Sequence, residues 1–164
     1  MKGMARIWII LSAVLFAQYG LSAEAYSNDD VVAKNKEVKV YFDVNIGESE
    51  KLATRLQLID KTHGDLIAMG LTPRFIVGIR GKASNFFTKD DDYILETDIP
   101  LKKKILARVV QFKSAGFRLE QCSIAAAMQG ITEADFLPQL EIVNNGYVSM
   151  ISYQHQGYAY VPMD

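Results

Sequence analysis

Hydrophobic and polar positions alternate between two periods along this chain, and that alternation predicts the architecture. Glu37 to Val44 ("EVKVYFDV") gathers β-branched and aromatic residues in a run of strand length. Leu52, Leu56, Ile59, His63, Leu66 and Ile67 then recur at helical spacing, and Gly70 supplies the stop. Arg74 to Ile79 ("RFIVGI") is almost continuously apolar, the pattern of a strand covered on both faces. "GKASNFF" suggests a short helix and "TKDDDYILETD" a surface excursion. Pro100 suits the first position of a second long helix, with Leu101, Ile105, Val109 and Phe112 inward and Gly116 at its end.

The pattern continues with "FRLEQC" as a third strand and "SIAAAMQG" as a short helix. Thr132 to Asp135 ("TEAD") has the form of a capping box, and Pro138 interrupts the turn it opens. Leu140 to Asn144 reads as the fourth strand, "GYVSMISYQHQG" as the last helix and Tyr158 to Val161 as a final strand. Strands and helices joined by short connections predict an α/β fold, with a parallel sheet, right-handed crossovers and helices on both faces.

The first residues belong to a different pattern. Lys2 and Arg6 precede an apolar run from Ile7 to Phe16, and "LSAEA" offers small residues at Ala23 and Ala25. This is the form of a secretory signal peptide over 1–25, cleaved after Ala25 or after Ala23. The run is shorter than the roughly 20 residues of a membrane span. Residues 26–36 are polar and aperiodic, as in a flexible leader, so the domain is expected over 37–164. Export predicts a periplasmic or secreted product with no stable membrane insertion.

Charge adds exclusions. The whole chain carries a formal net charge of −1. Without Lys2, Arg6 and Glu24, 16 basic and 18 acidic side chains remain. No basic stripe points to nucleic acid and no polybasic cluster to anionic lipid. His63 and His155 stand far from each other and from the single cysteine, so no metal-ligand spacing arises. "KDDDY" lacks the alternating ligands of a calcium loop and reads as a solvated acidic turn. "LKKKIL" reads as the wet face of the second long helix, and His63 as a residue at the edge of the core. "GIRGKAS" does not have phosphate-loop spacing. Neither metal nor cofactor is expected.

Ligands of open parallel sheets gather beyond the carboxyl ends of the strands, where loop amides and helix N-termini converge. Those ends carry Asp43 and Asn45, then Arg80 and Lys82, then Cys122 and Ser123, then Asn145. Cys122 is the only cysteine, so it forms no internal disulfide. Placed between a strand and a helix, its thiolate would face first-turn amides and the positive end of the helix dipole. A buried, inert thiol is the alternative reading of the same position.

"GFRLEQCSIAAAMQGITEADFLPQLEIVNNGYVSMISYQHQGYAYVPMD" resembles the DsrE/DsrF-like family of sulfur-relay proteins. The strand-ending Cys122, Gly130–Ile131, "DFLP" at Asp135 to Pro138, "IVNNG" at Ile142 to Gly146 and "QGYAYVP" at Gln156 to Pro162 carry the likeness. The resemblance implies a three-layer α/β/α domain with a mainly parallel five-stranded sheet, assembled into trimers or hexamers. It also implies a cysteine that accepts sulfane sulfur as a persulfide and passes it between donor and acceptor proteins. That role falls on Cys122, with Asp43, Asn45, Arg80, Lys82, Ser123 and Asn145 as candidate anion or ligand contacts from the topology. The expected function is therefore an exported sulfur carrier, not a turnover enzyme in the strict sense. A non-enzymatic oligomeric module binding a small ligand or a partner is the alternative.

Overall fold

The computed structural model describes residues 36–164. The expected signal peptide (1–25) and, apart from Lys36, the leader (26–36) lie outside the described residues. Five strands form one sheet: β1 (Glu37–Val44), β2 (Thr72–Ile79), β3 (Arg118–Cys122), β4 (Glu141–Val143) and β5 (Ala159–Pro162). Their order is β4-β3-β2-β1-β5, and every pairing is parallel. The helices are α1 (Ser49–Ala68), α2 (Ile99–Ser114), α3 (Ser123–Met128) and α4 (Gly146–His155). Among the described residues no helix is long and apolar enough to cross a membrane.

The side-chain alternation of the strands divides the sheet into two unlike faces. Val40, Phe42 and Val44 of β1, Phe75, Val77 and Ile79 of β2, and Leu119 of β3 point into the main core. They pack there with Leu52, Leu56 and Ile59 of α1 and Ile105, Val109 and Phe112 of α2. The chain steps from β1 to β4 in one direction across the sheet and returns past β1 to form β5. Right-handed crossovers put the returning helix on the opposite face. That second face has a small apolar cluster of Tyr41, Ile76 and Tyr153, with Met150 and Tyr158 beside it. It also carries two buried carboxylates: Asp43 and Glu120 lie in one register row on either side of Gly78. The sheet thus has a dry face under three helices and a polar face under one.

Gly78 makes that row possible. A Cβ at this position would stand 1.8 Å from the Tyr41 hydroxyl oxygen, so the ring crosses the sheet only because residue 78 has no side chain. Burial raises the Tyr41 pKa, and the neighbouring Glu120 and Asp43 raise it further, so the phenol stays neutral.

Two local readings of the sequence are corrected. "LKKKIL" is not uniformly wet: Lys102 is only 1% exposed, while Leu101 is partly exposed. The Lys102 ammonium donates to Thr88 Oγ1 at 3.0 Å and to the Asp90 carbonyl, and pairs with Asp91 Oδ1 at 3.1 Å. The inward stripe of α2 is 102-105-109-112, and its first member fastens the acidic excursion to the domain. Ile67 is exposed, because the last turn of α1 carries it off the core face. Elsewhere the pattern holds. His63 packs edge-on against Phe75 and Phe117 at ring-centroid distances of 5.4 and 4.7 Å. Thr132 and Asp135 form the capping box.

Candidate functional site

Cys122 ends β3 and is the N-cap residue of α3, with an extended backbone (φ −74°, ψ 118°). Its partner on the edge strand is Val143, which leads directly into the loop that opens α4. Two helix starts therefore converge on one sulfur. Sγ accepts the Gly146 N–H at 3.2 Å and the Ala125 N–H at 3.5 Å. Both are sulfur-length hydrogen bonds from amides with no partner inside their own helices. Gly146 permits the approach: a Cβ there would stand 3.1 Å from Cys122 Cβ and 3.4 Å from Sγ. Gln121, fully buried, fixes the strand end by donating to Ser84 Oγ at 2.8 Å and to the Cys122 carbonyl at 3.0 Å.

The thiol is 5% exposed, but it borders a cavity of about 180 Å³. Arg80, Asn145 and Tyr147 line this space together with Ile124 and Met128, so its wall is largely apolar. Asn145 is the N-cap of α4, its Oδ1 accepting the Tyr147 N–H at 3.0 Å. Arg80 reaches the cavity from the end of β2 with its guanidinium held on two sides. Nε and Nη2 donate to the two oxygens of Asp43, each at 2.7 Å, and Cζ lies 5.0 Å from the centroid of the Tyr147 ring. Nη1 also donates to the Tyr147 hydroxyl at 3.3 Å. The hydrogen bond to Asp43 raises the Arg80 pKa above its already high value, which fixes a permanent cation beside the thiol. Tyr160 donates to Asp43 Oδ2 at 2.8 Å, and its own pKa is raised by burial and by that bond.

The seven residues taken from the strand ends do not form one cluster. Cys122, Arg80 and Asn145 line the cavity, and Asp43 stands behind Arg80 as its counter-ion. Lys82 is exposed and borders a neighbouring space with Asp92 and Tyr93. Ser123 turns away, its hydroxyl 3.4 Å from Glu133 Oε1. The carbonyl of Asn45 sits against Gly81, and Asn45 is outside the cavity lining. The sequence put Gly146 at the end of the fourth strand, within "IVNNG", without revealing that its amide reaches Sγ, and it gave no sign of Tyr147, which faces Arg80. It also missed Glu120, one pleat behind Cys122. This carboxylate is almost fully buried, accepts the hydroxyls of Tyr153 (2.7 Å) and Ser149, and lies 3.1 Å from Arg118 Nε. A carboxylate at the centre of a predicted strand that also holds Phe117, Leu119 and Cys122 was the available signal. Among the described residues no group of three metal-ligating side chains is assembled.

These features define an open α/β domain whose single thiol, supported by two helix-initiating amides, faces a small cavity beside a fixed arginine. The chain belongs to the DsrE/DsrF-like family, whose model matches residues 39–163. It is 26% identical over 126 residues to an uncharacterized protein of Aquifex aeolicus (strain VF5), covering 76% of this chain. The chain spans 56% of that relative's length. The fold is also that of a solved protein of unknown function from Methanobacterium thermoautotrophicum. That structure superposes with a TM-score of 0.61 at 18% identity, over 76% of this chain and 98% of the other.

Proposed function

We propose that this protein carries sulfane sulfur as a persulfide on Cys122. The observation that supports the reading most is the pair of amides, from Gly146 and Ala125, aimed at Sγ where it meets the cavity. Hydrogen bonds to a charged acceptor contribute about 1.5–3 kcal/mol each, so such a pair supports the negative charge that Sγ carries as it attacks and regains when the outer sulfur leaves. The thiolate attacks a sulfane sulfur, forming a new S–S bond while the donor leaves with the electron pair of the broken one. An acceptor thiolate later takes the outer sulfur and returns Cys122 to the thiolate. The family supports the same chemistry, since its sulfur-relay members carry sulfur on the matching cysteine.

Two further parts of the proposal concern setting and assembly. The N-terminal sequence supports export, and N-terminal sequencing of the secreted chain should find Tyr26 or Glu24 first. Tyr147, Val148 and Ile151 of α4 are more than half exposed, as are Ile124 and Met128 of α3. Apolar side chains grouped in this way favour burial against another surface, which supports a homo-oligomer; light scattering of the mature protein measures it. The carrier reading is tested by loading reduced protein with polysulfide or thiosulfate. An added sulfur on the wild type, missing from Cys122→Ser, supports it, and no adduct with any sulfane donor sinks it. The second reading, a binding module without chemistry, then applies, because the arginine-lined cavity remains able to hold a small anion.

A further inference from the structure

The charges around the cavity limit which sulfane donor it accepts, an inference that rests on the carrier reading. Among the described residues Arg80 is the only charged side chain lining this space. Its charge is already matched by Asp43, whose side chain is 2% exposed and bonded through both oxygens. Lys82 does not add to it, because its side chain borders a different cavity. With Cys122 as the thiolate, the arginine, the aspartate and the sulfur sum to one negative charge before a donor enters. The rest of the wall is mainly apolar, with Ile124, Met128, Ala125 and the Tyr147 ring, and its neutral polar side chains are Gln129 and Asn145. Asp43 and the Tyr147 hydroxyl use three of the five guanidinium N–H groups, leaving two for a ligand.

We infer that the Cys122 cavity selects a monoanionic, weakly hydrated hydropolysulfide as sulfur donor and discriminates against the thiosulfate dianion. A polysulfide chain is soft and apolar along its length, so it loses little hydration against Ile124 and Met128. Its single anionic end matches the two remaining N–H groups of Arg80. Thiosulfate brings a second negative charge and a strongly hydrated sulfonate to a site without uncompensated positive charge, and burying such a group is costly. The transfer balances without another reagent. Cys122 thiolate and HSₙ⁻ give the Cys122 persulfide anion and HSₙ₋₁⁻. The Sγ–S bond forms as one donor S–S bond breaks, and the shorter polysulfide leaves with that electron pair and the proton.

The test compares initial rates of single-sulfur loading by polysulfide and by thiosulfate, read by intact mass. Each rate is divided by that of N-acetylcysteine under the same conditions, so intrinsic donor reactivity cancels. The folded protein should favour polysulfide over thiosulfate by about tenfold or more beyond the free thiol, given one extra charge in a partly desolvated site. Asp43→Asn, which uncovers the arginine charge, should reduce that preference. Met128→Lys, at a position 80% exposed in the single chain and compared at the wild-type oligomeric state by light scattering, should reduce it independently by adding a cation at the mouth. A preference equal to or below that of the free thiol overturns the inference, as does a preference unchanged in Met128→Lys. No adduct from either donor overturns the carrier reading itself, and the selectivity with it.

Discussion

Replacing Gly146 by alanine separates support of the thiol from support of the fold. The added Cβ would stand 3.1 Å from Cys122 Cβ and 3.4 Å from Sγ, so the start of α4 must retreat by a few tenths of an ångström. Two effects on stability oppose each other. Alanine is about 1 kcal/mol better than glycine within a helix, whereas overpacking a tight site costs about 1–3 kcal/mol. The net loss should be on the order of 1 kcal/mol, and the domain stays folded. The sulfur loses part of its best hydrogen bond, the 3.2 Å contact from the Gly146 N–H. Half of a charge-assisted hydrogen bond is on the order of 1 kcal/mol of lost support for negative charge on the sulfur, or roughly a factor of five. A less stabilised thiolate is more nucleophilic, which returns about half of that effect on a logarithmic scale. Alkylation by iodoacetamide at neutral pH should therefore slow by about two- to threefold, with the melting curve showing a folded protein. Gly64→Ala is the control: nothing lies within 4 Å of its added Cβ, so α1 gains stability and the thiol rate is unchanged. A folded Gly146→Ala protein that reacts at the wild-type rate or faster would refute the role given to this amide.

Three further outcomes follow from the geometry. Lys102→Met removes the buried ammonium that binds Thr88, Asp90 and Asp91, and should cost about 1–3 kcal/mol in a denaturant titration, with faster amide exchange at 88–98. The loss stays moderate because Asp91 is half-exposed and regains water; a neutral result would remove Lys102 as a fastener. Gly78→Ala drives a methyl group into the Tyr41 hydroxyl and should destabilise by about 3 kcal/mol, with partial rescue by Tyr41→Leu; equal stability of Gly78→Ala and wild type contradicts the crossing described here. The Asp135 carboxyl is held below its ordinary pKa by the Tyr93 hydroxyl and then by Thr132. With the folded value depressed, this capping box stabilises the turn at and above the unfolded aspartate value, and the benefit is lost as pH falls through the folded value. Tyr93→Phe should move the carboxyl NMR titration of Asp135 upward; an unmoved titration excludes the hydroxyl as the cause.

The alternation of periods made the layers legible, because strands at 37–44 and 74–79 have the composition of buried parallel strands and both long helices carry an apolar stripe. The boundary residues moved by one or two positions, as in β2, which starts at Thr72. The strand-end rule also found the thiol, since Cys122 is both the end of β3 and the start of α3. Asn45, Lys82 and Ser123 lie outside the cavity lining, because the residues just past a strand end turn along loop, helical or 3₁₀ paths and leave the rim one by one. Lys102 was illegible for another reason: three lysines in a row look like a solvated face, and the groups that bind the first lie in a loop 11 to 14 residues earlier. The support given by Gly146 was hidden because it comes from a backbone amide, which no residue type announces. Arg80 and Asp43 were each named, but their pairing needs the β1–β2 register that sets Asp43 opposite Gly78.

The central claim is that Cys122 holds transferable sulfur, and intact mass measures it directly. Reduced mature protein is exposed to polysulfide, freed of excess donor, weighed, and then mixed with an acceptor thiol. The account predicts one added sulfur on the wild type, none on Cys122→Ser, and its loss to the acceptor. A wild-type protein that stays unmodified, or a Cys122→Ser protein that gains the same mass, would contradict it.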